Sequence, residues 1–262
     1  MITSLQNKHV KNIVKLTGSA GERRRQKRFV IEGSRELSMA LAGGYKVHNL
    51  YVCDTLFDRV GEGLPHGLDV HIEKVSADVF GKMAYRDESD GIIAVSESRQ
   101  LSLDMLCLPA NPFVIVLETI EKPGNLGAIL RTADAACVDA VIVCDPKTDI
   151  YNPNAIRSSI GCVFTQKIVA CASNEAYIWL KRTGIQIFAA ALTASQTYYN
   201  ADFTKPAAIV LGSEADGLTK FWLENADRRV KIPMRGQIDS LNVSVSAAIL
   251  TFEAMRQRNL VV

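Results

Sequence analysis

From Phe113 onward, apolar runs alternate with helix-like segments, and this alternation restricts the fold more than any other property of the chain. Phe113–Leu117 is continuously apolar, as expected of a strand covered on both faces of a parallel sheet. A helix is predicted near Asn125–Cys137, then a strand at Ala140–Cys144. Phe164–Val169 and Gln186–Ala190 read as further strands, with Asn174–Arg182 helical between them. Ala207–Leu211 is another strand. Ile232 onward reads as a short strand, a polar loop and a closing helix from about Asn242. Such alternation implies an α/β domain built on a parallel sheet.

The first part of the chain is organised differently. Phe29–Glu32, Leu50–Cys53, Val70–Ile72 and Gly91–Val95 are β-like, and a helix from Ser34 to Ala42 stops at Gly43-Gly44. Leu101–Pro112, with two prolines and Asn111, has the character of a linker. The expected domains are therefore 1–104 and 113–262, a plausible division for 262 residues.

Composition excludes several classes. About half the residues are apolar, yet no apolar run approaches the roughly 20 residues of a membrane helix. The N-terminus lacks the apolar core of a signal peptide. The six cysteines form no C-x-x-C pair and have no adjacent histidine, so neither zinc nor a disulfide framework is expected, and a reducing cytoplasm fits. No metal cluster is offered. The net charge of +2 hides an asymmetry: Met1 to Arg35 holds nine basic residues against two acids, Glu22 and Glu32. Lys8, Lys11, Arg23, Arg24, Arg25, Lys27, Arg28 and Arg35 are the candidate phosphate-binding residues of this block. Neutralising nucleic-acid phosphates releases condensed counterions. A solvated basic face with no partner is the competing reading.

In an open parallel sheet, ligands bind beyond the carboxyl ends of the strands. Three polar, glycine-bearing loops of the second part all follow strands: Glu121–Ala133, Leu211–Leu218, and the segment from Ile232 into the last helix. Singly, each is ambiguous, since Gly124 and Gly127 also suit turns and close packing. None is G-x-G-x-x-G or a Walker A loop, so dehydrogenase and nucleotide-hydrolase readings lack support. In the third, Asp239, Ser240, Asn242, Ser244 and Ser246 crowd one helix start, where a single capping residue suffices.

Taken in order, the motifs N-x-G-x-x-x-R-T-A, V-L-G-x-E-x-x-G-L and I-P-M-x-G-x-x-x-S-L-N-V-S-x-S-A-A resemble those of the SpoU/TrmH family of RNA ribose methyltransferases. The resemblance spans about Phe113–Arg258 and includes N-P-N-A-I-R-S-S-I-G-C-V-F (Asn152–Phe164), similar to that family's R-x-S-x-G segment. Asn7–Lys11 and Phe29–Leu37 are more loosely similar to its substrate-binding domain. Lys122 departs from the pattern, standing where many of the family carry Asp before Pro.

The resemblance implies a knotted (trefoil) parallel-sheet domain preceded by a smaller α/β ribosomal-protein-like RNA-binding domain, and usually a homodimer. It implies S-adenosyl-methionine as cofactor, held by Ala191, Leu192, Gly212, Glu214, Gly217, Ile232, Met234, Leu241, Val243 and Ser244. The implied catalytic positions are Asn125, Arg131, Glu214, Ser240 and Asn242, acting on a ribose 2′-hydroxyl. All four histidines, His9, His48, His66 and His71, lie in the first part, so the catalytic part contains no imidazole base. Arginine keeps its proton beyond pH 12. Arg131 is thus either the proton acceptor in a site tuned by the substrate phosphate or a bidentate clamp on that phosphate.

Ribosomal RNA is favoured over transfer RNA, because members with this two-part layout mostly act there. Base methylation and a non-catalytic RNA-binding or assembly factor of the same fold are the other readings. The intact motif residues argue against the inert one.

Overall fold

The computed structural model describes residues 1–57, 70–86, 88–194 and 196–259; His66 lies outside them. The chain divides into two units, Met1–Arg99 with Asp149–Thr165, and Gln100–Thr148 with Gln166–Val262.

The first unit contains α1 (Lys8–Gly18), α2 (Ala20–Gln26), β1 (Arg28–Glu32), α3 (Ser34–Ala42), β2 (Val47–Val52), α4 (Asp54–Phe57), β3 (His71–Lys74), α5 (Ala77–Met83) and β4 (Ile92–Glu97). Its sheet has the order β1-β4-β2-β3, antiparallel except for β2 with β3. Val10, Ile13 and Leu16 recur at helical spacing on α1 and pack with Val79, Phe80 and Met83 of α5 over Val30, Tyr51 and Ile93. Asn7 caps α1 by accepting the His9 N–H at 2.8 Å.

Asp149–Thr165, expected with the second domain, packs in this first unit. Phe29 stacks on Tyr151 at 4.3 Å between ring centroids and on Phe164 at 5.7 Å. Arg23 pairs with Asp149 at 2.5 Å. These contacts also correct the strand expected at Phe164–Val169: Phe164 ends a short 3-10 turn, and the strand begins only at Ile168. Within the segment, α7 (Pro153–Ser158) is capped by Asn152, which accepts the Asn154 N–H at 2.9 Å.

In chain order the second unit contains β5 (Phe113–Glu118), α6 (Pro123–Ala135), β6 (Ala140–Cys144), β7 (Ile168–Cys171), α8 (Ser173–Arg182), β8 (Gln186–Ala190), β9 (Gln196–Thr197), β10 (Ala207–Leu211), α9 (Lys220–Asn225), β11 (Arg228–Lys231) and α10 (Val243–Asn259). The strand expected at Ile232 ends at Lys231; R-R-V-K is too charged to read as a buried strand, and only Val230 is buried. Every pairing in this sheet is parallel, in the order β7-β6-β5-β10-β8-β11-β9.

One face carries Val114, Val116, Ile142, Ile187 and Val210 against Trp179 and Leu180 of α8 and Trp222 of α9. The alternate strand residues point to the other face, and α10 packs on α6 and β10. The chain runs β5 to β7 in one direction across the sheet, then resumes at β8 on the far side of β10. Such a reversal in strand order opens a crevice at the carboxyl ends.

Candidate active site

A cleft of ≈ 320 Å³ lies at this reversal, within the volume range of small-molecule sites. Its walls come from the ends of β8, β10 and β11 and from the start of α10. Ala191, Leu192, Gly212, Glu214, Gly217, Ile232, Met234, Leu241 and Val243 line it, together with Ser240. Ser244, expected among them, does not. Val243, Ser246 and Leu250, spaced for one helix face, line the cleft. Ser244 points elsewhere, and both its N–H and its hydroxyl donate to Asn242 Oδ1, at 2.9 and 2.6 Å.

Two glycines shape the middle wall. A Cβ on Gly212 would stand 2.1 Å from the Gly217 carbonyl group, so the two backbones meet where no side chain fits. Gly217 has φ +68, a conformation that favours glycine. Ser213 and Gly217 exchange backbone hydrogen bonds at 3.2 and 3.1 Å, closing the loop on itself and presenting Glu214 at its tip.

The three motifs are joined by one chain of side chains. Ser244 donates to Asn242, Asn242 Nδ2 donates to Asn125 Oδ1 at 3.2 Å, and Asn125 Nδ2 donates to Glu214 Oε1. Its direction is set from both ends. The Ser244 backbone N–H can only donate, and a carboxylate can only accept, so each amide has one consistent orientation. Asn242 also caps α10 through the Ser244 N–H.

Arg131 stands apart from that chain. It is exposed on α6 and makes no hydrogen bond or ion pair among the described residues. Beside the same loop, Lys147 holds Glu121 at 2.6 Å, which keeps that carboxyl below its usual range. Lys122 occupies the N-cap of α6 without a side-chain cap, the contact an Asp there would make.

Sequence reasoning missed Asp216 and Lys231, which also line the cleft. Their signal was positional: each follows or ends a strand whose carboxyl end faces the crevice.

In the basic block, Lys8, Lys11, Arg24, Arg25, Lys27 and Arg35 are exposed and Arg28 is half-buried. Arg23 is the exception. Only 4% exposed, it donates to the Leu16 and Thr17 carbonyls and to Asp149, so its guanidinium is committed inside the unit.

The SpoU rRNA Methylase family model matches residues 112–252, and the MRM3-like substrate binding domain matches residues 7–94. The chain belongs to the SpoU rRNA methylase family. It is 30% identical to the 23S rRNA (guanosine(2553)-2′-O)-methyltransferase of Bacillus subtilis over 96% of this chain and 97% of that one. It resembles a crystal structure of an RNA 2′-O ribose methyltransferase, with TM-score 0.84, 38% identity and coverage of 98% and 99% of the two chains. The SpoU methyltransferase AviRb from Streptomyces viridochromogenes, solved with its cofactor AdoMet, has TM-score 0.88 at 26% identity, covering 97% and 99%.

Proposed function

We propose that the chain transfers a methyl group from S-adenosyl-methionine to a ribose 2′-hydroxyl of structured RNA, with ribosomal RNA as the substrate. The observation that carries this reading is the hydrogen-bonded chain from Glu214 through Asn125 to Asn242, beside a cleft that suits the cofactor. Leu192, Ile232, Met234 and Leu241 offer apolar walls, while Glu214, Asp216 and Asp239 complement a cation. S-adenosyl-methionine, when bound, supplies a methyl group on a positively charged sulfur.

The protein's contribution is then position and charge. Asn125 and Asn242, locked in one amide orientation, direct donors and acceptors at the ribose edge. Holding the hydroxyl in line with its target converts an encounter into a near-attack arrangement, worth several orders of magnitude in rate. Arg131 clamps the substrate phosphate through paired N–H donors, a role its exposed and unpartnered guanidinium supports. Proton acceptance by Arg131 would instead require a site that overcomes its very high proton affinity.

The exposed Lys8, Lys11, Arg24, Arg25, Lys27 and Arg35, with half-buried Arg28, dock the RNA backbone in this reading. Naming of the Bacillus subtilis relative as a 23S rRNA enzyme favours ribosomal over transfer RNA. Two copies pair through α10, where Val245 and Phe252 lie two turns apart and are 46% and 51% exposed. A trefoil threading of the last segment is part of the same proposal, supported by the placement of β10 between β5 and β8. No described helix is long and apolar enough to cross a membrane. The six cysteines are free, which suits the cytoplasm, where ribosomes reside.

Calorimetry with S-adenosyl-methionine tests the cofactor. Saturable one-site binding by the wild type, retained in Arg131→Ala while methyl transfer is lost, is the expected result. No binding at millimolar cofactor would favour an inert RNA-binding factor of the same fold.

A further inference from the structure

Glu118, the last residue of β5, is 2% exposed. Its Oε1 accepts the Thr219 hydroxyl at 2.7 Å and its Oε2 accepts the Thr219 backbone N–H at 2.8 Å. No ion pair reaches it among the described residues. A buried carboxylate held only by neutral donors is costly.

Thr219 bears the other half of the arrangement. It occupies the N-cap of α9 in extended conformation, yet its side chain makes no cap hydrogen bond. Its hydroxyl is turned to Glu118 instead, so α9 forgoes the side-chain cap that an N-cap threonine ordinarily supplies. Two local preferences are set aside for one contact, and such departures cluster at functional positions.

That contact joins the roots of two loops. β5 and β10 are neighbours, and Glu118 lies one residue beyond the paired Leu117 and Leu211. Beyond Glu118 the chain turns through Thr119, at φ +51, toward α6 and Asn125. Beyond Leu211 it forms the closed Gly212–Gly217 loop carrying Glu214, and leaves that loop through Leu218 to Thr219. Glu118 therefore grips the downstream end of the loop from the carboxyl end of the strand that leads to Asn125.

Resting on the cofactor reading above, we propose that Glu118 is a positioning residue for the transfer reaction. By fixing Thr219 it holds the Gly212–Gly217 wall in its cofactor-binding shape and keeps Glu214 within reach of Asn125.

The test uses the full chain with S-adenosyl-methionine titrated by calorimetry, and steady-state transfer to RNA alongside. Glu118→Gln places an amide nitrogen against one of the two Thr219 donors. The expected loss, on the order of tenfold or more, falls in Kd and KM for the cofactor, with RNA affinity unchanged. Thr219→Val, which keeps the N–H and removes only the hydroxyl, gives a smaller loss in the same two quantities, and Thr219→Ser restores them. A folded Glu118→Gln with wild-type cofactor Kd and KM overturns the proposal. Should that variant fail to fold, wild-type values in a folded Thr219→Val overturn it equally. Failure of the unsubstituted protein to bind the cofactor overturns the underlying reading instead, and is distinguishable because no substitution is involved.

Discussion

Asn242 Nδ2 lies 3.2 Å from Asn125 Oδ1, a hydrogen bond between residues 117 positions apart. Asn242 has two separable jobs: its oxygen caps α10 and its nitrogen reaches Asn125. Asn242→Asp keeps the cap and removes the donor. It is expected to melt within a few degrees of the wild type while transfer falls at least on the order of tenfold. Asn242→Ala loses both, with an additional stability cost of about 1 kcal/mol. Thermal melts and initial rates on the two variants check this; equal transfer in Asn242→Asp and wild type would exclude the relay.

Arg23 and its neighbours in sequence should separate cleanly. Arg23→Ala leaves Asp149 unpaired, its side chain 15% exposed, and is expected to cost about 3 kcal/mol of stability. Arg24→Ala with Arg25→Ala should leave stability nearly unchanged, weaken RNA binding and flatten its salt dependence. Binding measured across a salt series, beside urea denaturation, distinguishes the two. An unchanged salt slope in the double variant would remove those residues from the interface.

Burial raises the carboxyl of Glu32 above its ordinary value near 4.5, against the lowering effect of the Tyr85 N–H it accepts at 2.7 Å. A raised acid binds its proton more tightly in the folded state. Its contribution to stability therefore grows as pH falls through the raised value and is lost as pH rises through it. Glu32→Gln has no such dependence, so the penalty of that substitution should be larger near pH 5 than near pH 7.5. Urea midpoints of the two proteins at both pH values give the comparison, and a penalty larger at the higher pH would contradict the assignment.

Lys122 stands at an N-cap without capping it. Lys122→Asp should accept a first-turn N–H and complement the helix dipole, stabilising the protein by about 1 kcal/mol. A rise of a few degrees in Tm is the expected reading; a fall would mean that the lysine itself holds the loop.

Legibility in the sequence followed burial. Ala140–Cys144, Gln186–Ala190 and Ala207–Leu211 are strands with the bounds their apolar runs indicate, and α3 spans Ser34–Ala42 as its glycine stop predicts. β11 was hidden because three of its four residues are charged and it lies near the sheet edge. That the 149–165 segment packs in the first unit is not legible in the sequence, because its partners there, Phe29 and Arg23, are distant in sequence. Within the site, the cleft residues were reachable through three motifs in order. Ser244 was not separable from Ser246 until the phase of α10 was known. The Glu118–Thr219 contact was invisible, since a glutamate ending a strand carries no sign of a partner 101 residues away.

Incubation of the purified protein with methyl-labelled S-adenosyl-methionine and ribosomal RNA lacking its modifications, followed by nucleoside mass spectrometry, tests the central claim most directly. The account predicts label in a 2′-O-methyl nucleoside with the wild-type protein and none with Arg131→Ala. Label on a base, or equal ribose labelling by both proteins, would contradict it.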